Sequence, residues 1–96
     1  MLPNNIFAAR LQIPETVLVS EVGGEAVLLD LQSEQYFGLD EVGTDMWQAL
    51  AQTDSIQAAY EKLLAKYDVD AEQLRQDLAT LLEKLTSDGL VEILNV

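Results

Sequence analysis

Val17-Leu18-Val19-Ser20-Glu21-Val22, Gly23-Gly24, Glu25-Ala26-Val27-Leu28-Leu29-Asp30-Leu31: two aliphatic, β-branched runs meet at a glycine pair. That is the pattern of a β-hairpin, because the central residues of a tight hairpin turn need a positive φ that glycine adopts without steric cost. A polar turn, Gln32-Ser33-Glu34, leads into Gln35-Tyr36-Phe37-Gly38-Leu39. Strand alternation there sets Phe37 and Leu39 on one face and Tyr36 and Gly38 on the other. The stretch predicts a three-stranded antiparallel meander whose third strand has one unpaired edge.

Downstream the apolar period changes from two to between three and four. After Asp40, an N-cap candidate, Val42, Met46, Trp47 and Leu50 predict one helical stripe. After Asp54 or Ser55, the residues Ile56, Ala59, Tyr60, Leu63, Leu64 and Tyr67 predict a second. Asp70 with Gln73 has capping-box spacing, and Leu74, Leu78, Leu81, Leu82 and Leu85 follow before Ser87-Asp88-Gly89 stops the third helix. The tail Leu90-Val91-Glu92-Ile93-Leu94 alternates loosely, as a short closing strand does. The expected fold class is α+β, a winged helix-turn-helix-like domain in which a three-stranded antiparallel sheet is followed by three helices.

Residues 1–14, with Pro3, Asn4, Asn5 and Pro14, read as an N-terminal arm, and 15–96 as one domain. The whole chain has 96 residues, a size that supports a single core. Lys and Arg total 5 against 17 Asp and Glu, giving a net charge of -12. Such a field repels a phosphate backbone and an anionic membrane surface, so nucleic acid and membrane are not expected partners. No stretch approaches the roughly 18 apolar residues of a membrane span, and nothing resembles a secretory signal, so a cytoplasmic location is expected. The absence of His and Cys removes the imidazole base, the thiol nucleophile and the usual zinc ligands. No catalytic constellation, cofactor motif or metal site is expected. Asp68, Asp70 and Glu72 alternate as calcium ligands do, but Gln73 stands where an EF-hand loop needs glycine and Ala79 where it needs glutamate.

The order of these signals resembles the PqqD-like family, the peptide-binding modules also called RiPP recognition elements. The residues that carry the likeness run from Ile13 to about Glu92. They are Val17-Leu18-Val19, the Gly-Gly hairpin into Ala26-Val27-Leu28-Leu29-Asp30, Tyr36-Phe37-Gly38-Leu39-Asp40, Gly43 with Met46-Trp47 and Leu50, the helix ending at Tyr67, and the Leu-rich helix closed by Asp88-Gly89-Leu90-Val91. Asp40 stands where the family often has Asn, and both residues cap helices.

The resemblance implies a noncatalytic adaptor that binds the leader of a ribosomally made precursor peptide by strand addition and presents the rest to a modifying or leader-cleaving enzyme. Among such enzymes, a lasso-type leader protease is favoured over a radical SAM enzyme, because free-standing adaptors are usual in the lasso branch. The alternative, a winged-helix transcription factor, draws on helix order and is opposed by the charge. Carried over residue by residue, the family's site implies main-chain pairing at Gln35, Tyr36, Phe37, Gly38 and Leu39. It also implies a groove wall at Arg75, Leu78, Ala79 and Leu82, with Arg75 opposite a leader carboxylate.

Against this stands the plainer reading of Leu78 and Leu82 as core residues, which periodic apolar stripes usually are. Phe37 and Leu39 also read as core, contributing backbone groups alone, and Trp47 as a core anchor. Tyr36, on the outer sheet face, is open to either role. Which of Phe37 and Gly38 turns its N–H toward the free edge is likewise open.

Overall fold

A computed structural model of the chain describes residues 6–94. Three strands, β2 (Val17–Val22), β3 (Glu25–Asp30) and β4 (Tyr36–Gly38), form an antiparallel sheet in that order; a short strand, β1 (Arg10–Gln12), precedes them. Gly23 and Gly24 have φ of 63° and 84°, the left-handed pair that a two-residue hairpin turn requires. Helices α1 (Glu41–Gln52), α2 (Ile56–Lys66) and α3 (Ala71–Ser87) follow, and β5 (Glu92–Leu94) ends the described chain. The α+β class, with its three-stranded sheet before three helices, is as the alternation and the change of period predict.

Each helix begins on the side chain that the sequence offers. Gly43 N–H donates to Asp40 Oδ1 at 2.7 Å, Ala58 N–H to Ser55 Oγ at 3.1 Å, and Gln73 N–H to Asp70 Oδ2 at 3.3 Å. The capping box at Asp70 does not close, because the Gln73 side chain instead donates forward to Asp77. At the end of α3, Gly89 (φ 74°) lets Leu90 N–H reach Leu85 O and Gly89 N–H reach Thr86 O. These are the two bonds of a Schellman stop.

Two apolar clusters make the core. One joins α1, α2 and α3 through Met46, Leu50, Ile56, Tyr60, Leu63, Leu74, Leu78 and Leu82. The other joins the inner sheet face to α1 and α3 through Val17, Ala26, Leu28, Leu39, Trp47, Leu85, Leu90 and Val91. Leu11 and Leu81 pack against both. Val42, expected on the α1 stripe, is exposed instead, one turn before the helix reaches the core. Thr44 is the polar tie between layers: its buried Oγ1 accepts the Ala26 N–H at 2.8 Å, a β3 donor that β4 is too short to satisfy.

The reading of 1–14 as an arm needs correction from Ile6 onward; residues 1–5 lie outside the described part. Ile6, Phe7 and Ala9 are buried in the helical cluster, a 3₁₀ turn spans Ile6–Ala8, and β1 pairs antiparallel with β5, Leu11 opposite Ile93. Ala9 O accepts the otherwise orphaned Ile56 N–H at the start of α2. A three-residue strand is too short to show alternation, and its partner lies at the other end of the chain. Sequence periodicity therefore has nothing to register here. The closing strand expected at the tail is present, as β5.

Asp45 on α1 accepts a hydrogen bond from the Tyr67 hydroxyl at the end of α2, with Lys66 Nζ 3.2 Å away. That bond holds the Asp45 carboxyl below the ordinary carboxylate value, and in turn pushes the Tyr67 phenol up to about 12. The depressed carboxyl stabilises the fold at pH above 3.8, and the contribution is lost as pH falls through its lower folded value. The raised phenol contributes below pH 10, and that contribution is lost as pH rises through about 12. Tyr67→Phe is expected to cost about 1 to 2 kcal/mol at neutral pH, somewhat under the usual value of a bond to a charged group because Asp45 is partly exposed. Urea unfolding across pH should show the wild-type advantage shrinking below pH 3.8.

Candidate functional site

The site is built on the last strand of the sheet. Asp30 sets the turn that delivers it: the carboxylate accepts Gln32 N–H at 3.0 Å and the Ser33 hydroxyl at 3.1 Å, and Glu34 N–H donates to Asp30 O. The Gln32 backbone bond, first among these, holds the Asp30 carboxyl below its ordinary value. Glu34 takes the left-handed φ of 62°, and the chain then turns back as β4.

The register of β4 assigns each main-chain group to one side. Val27 faces Gly38, Leu28 faces Phe37 and Leu29 faces Tyr36. Asp30 N–H donates to Gln35 O at 2.9 Å and Leu39 N–H to Ala26 O at 2.8 Å. Hydrogen-bonded pairs alternate in an antiparallel ladder, so Gln35, Phe37 and Leu39 direct their backbone groups to β3. Tyr36 and Gly38 direct theirs outward. Of the five residues expected to pair with a peptide, these two present the edge that no described residue pairs with, and of Phe37 and Gly38 it is Gly38 that turns its N–H to that edge.

That edge opens onto a groove walled by α3. A cavity of about 540 Å3 lies among Phe37, Thr80, Glu83, Lys84, Ser87 and Asp88. A smaller one of about 220 Å3 continues along Gly38, Leu39 and Asp40 against Asp77, Thr80, Leu81 and Lys84. Phe37 and Leu81, both partly buried on the core, form the apolar floor, and Lys84 is the one cation among these lining residues. An extended chain laid along β4 finds two main-chain partners, an apolar seat and a mixed-charge wall, the elements of recognition by strand addition.

Arg75, Leu78, Ala79 and Leu82, expected as the groove wall, do not line the two cavities beside β4. Leu78 and Leu82 are 0% exposed, inside the helical core, as the plainer reading has it. Arg75 lies 4.0 Å over the Phe7 ring and 5.9 Å from Tyr60, capping the N-terminal turn. Ala79 is partly buried and lines neither cavity beside β4. At about 100° per residue, Thr80, Lys84 and Ser87 lie on the other side of the leucine stripe from Arg75 and Ala79. No apolar periodicity marks these polar residues, and only the position of β4 identifies them. Phe37 is half core and half groove floor, and Leu39 is buried. Tyr36 is 76% exposed on the outer sheet face. Among the described residues no cluster of carboxylates is placed to hold a metal ion, and no helix is long and apolar enough to cross a membrane.

Residues 25–91 match the family model described as coenzyme PQQ synthesis protein D (PqqD). Among solved structures, TbiB1 in complex with the TbiA(beta) leader peptide is 33% identical and superposes with a TM-score of 0.78, covering 84% of this chain and 94% of that one. Lasso peptide synthetase B1 complexed with the leader peptide shares the fold, with a TM-score of 0.77 at 24% identity over 88% of this chain and 99% of that one. No curated protein matches the chain.

Proposed function

The chain belongs to the PqqD family, and from that premise we propose that it is a noncatalytic adaptor that binds the leader of a ribosomally made precursor peptide along β4. The observation that carries the reading is the pair of free main-chain sites at Tyr36 and Gly38, opening onto the groove between β4 and α3. A structural neighbour at 33% identity, TbiB1, is a leader-peptide complex, which supports the same class of ligand here. The leader adds a strand to β4, seats an apolar side chain on Phe37 and Leu81, and meets Thr80, Lys84 and Ser87 on α3. The remainder of the precursor is presented to a separate maturation enzyme in the cytoplasm. We favour a lasso-type leader protease over a radical SAM enzyme as that partner. With neither His nor Cys, the chain has no imidazole base and no thiol nucleophile of its own.

Calorimetric titration with the synthetic leader of the precursor encoded beside the chain tests this. Thr80→Trp fills the groove from an exposed position that the core does not use, and is expected to weaken leader binding at least tenfold, about 1.4 kcal/mol. The melting temperature should stay at the wild-type value. Wild-type protein with no affinity for the leader, or full affinity in Thr80→Trp, would refute the placement.

A further inference from the structure

All three helices and the β1–β5 pair pack away from one face of the large sheet, and among the described residues nothing covers it. Leu18, Leu29 and Tyr36 form a row straight across its three strands, with Val27 in the next row and Val22 beyond it. Leu18 is 51% exposed and Val22 and Tyr36 are each 76% exposed. A shallow hollow of about 530 Å3 lies over Leu18, Val27, Leu29 and Tyr36. A contiguous apolar surface of this kind on a small domain marks an interaction site.

The charge around it selects the occupant. No Lys or Arg occurs between Arg10 and Lys62, a span that holds the entire sheet, while Glu25 stands on this face and Glu15 and Glu34 fall at the ends of its strands. Glu25 stands directly opposite Val22. A second copy would bring one acidic chain of net charge -12 against another. An apolar surface bordered by Lys and Arg gains on both counts. The face is also continuous with the peptide edge, since Tyr36 supplies its side chain to the face and its main chain to the edge.

We infer that this outer face, centred on Leu18, Val27, Leu29 and Tyr36, is where the maturation enzyme docks, through an apolar patch of its own rimmed by basic residues. The inference rests on the adaptor reading. It places the enzyme beside the bound leader and leaves the groove on α3 free for the peptide.

The probe is the purified maturation enzyme encoded beside the chain, titrated into the full chain without peptide at two salt concentrations. Two double variants are compared, L18K/V22K and L18E/V22E, at exposed positions that leave the core untouched. Both should bind the enzyme at least tenfold more weakly than wild type. The lysine pair should lose more than the glutamate pair, because it repels a basic rim, and wild-type affinity should fall as salt rises. Affinity for the synthetic leader should remain within about twofold in both. Unchanged enzyme affinity in L18K/V22K would overturn the docking face, and a larger loss in the glutamate pair would overturn the basic rim. Sedimentation showing a wild-type dimer that either variant dissociates would assign the face to a second copy and overturn the inference. Failure of the adaptor reading registers separately, as absence of leader binding by the wild-type chain.

Discussion

Gly38→Pro is expected to lower leader affinity by roughly 30-fold while the domain stays folded, as measured by calorimetry beside thermal melting. The Gly38 N–H points away from β3, so proline removes no ladder bond. A Cβ at position 38 meets nothing within 4 Å, and Phe37 lies in a strand, the backbone region that a following proline prefers. What proline removes is the donor offered to the incoming peptide, and its ring occupies the space of that bond. One lost hydrogen bond and the obstruction together come to about 2 kcal/mol, which is the expected 30-fold. Gly38→Ala keeps the N–H and should bind within about threefold of wild type. Phe37→Pro should behave in the opposite way, because its N–H belongs to the ladder with Leu28, and should show first as a lower melting temperature. Undiminished leader affinity in folded Gly38→Pro would remove β4 from the site.

The second large effect is on stability. Leu82→Ala empties a fully buried position in the core shared by α1, α2 and α3, and should cost about 2 to 5 kcal/mol. For a domain of this size that corresponds to a fall of roughly 10 to 30 °C in melting temperature. Leader affinity of the protein still folded at low temperature should be within about twofold of wild type, since the groove wall is made by Thr80, Leu81, Lys84 and Ser87 on another flank. A Leu82→Ala protein with wild-type melting and weakened leader binding would return Leu82 to the groove. With Thr80→Trp, the pair separates a residue that holds α3 in place from one that lines the groove proposed for the peptide.

The sequence by itself determined the three strands of the large sheet, the three helices and the closing strand, but not the N-terminal turn and β1. Glycine at 23 and 24, alternation in the strands, and the carboxylate or hydroxyl at 40, 55 and 70 act within a few residues of chain, and the backbone obeyed each of them. Composition likewise carried the charge of -12 and the lack of His and Cys. The unpaired edge of the third strand followed from the meander, although only the bonds of Gln35 and Leu39 told which two residues own it. What the tertiary structure decided was every question of who faces whom across a distance. Ile6 and Phe7 became core because the far ends of the chain pair as β1 and β5. On α3 a stripe of five leucines spans a wide arc, and periodicity says that the arc is buried without saying on which side of it another strand will lie. Packing against α1 and α2 buried Leu78 and Leu82 and left Leu81 at the margin of the stripe beside β4, so that Lys84 and Thr80, polar residues with no pattern of their own, line the cavity beside that strand.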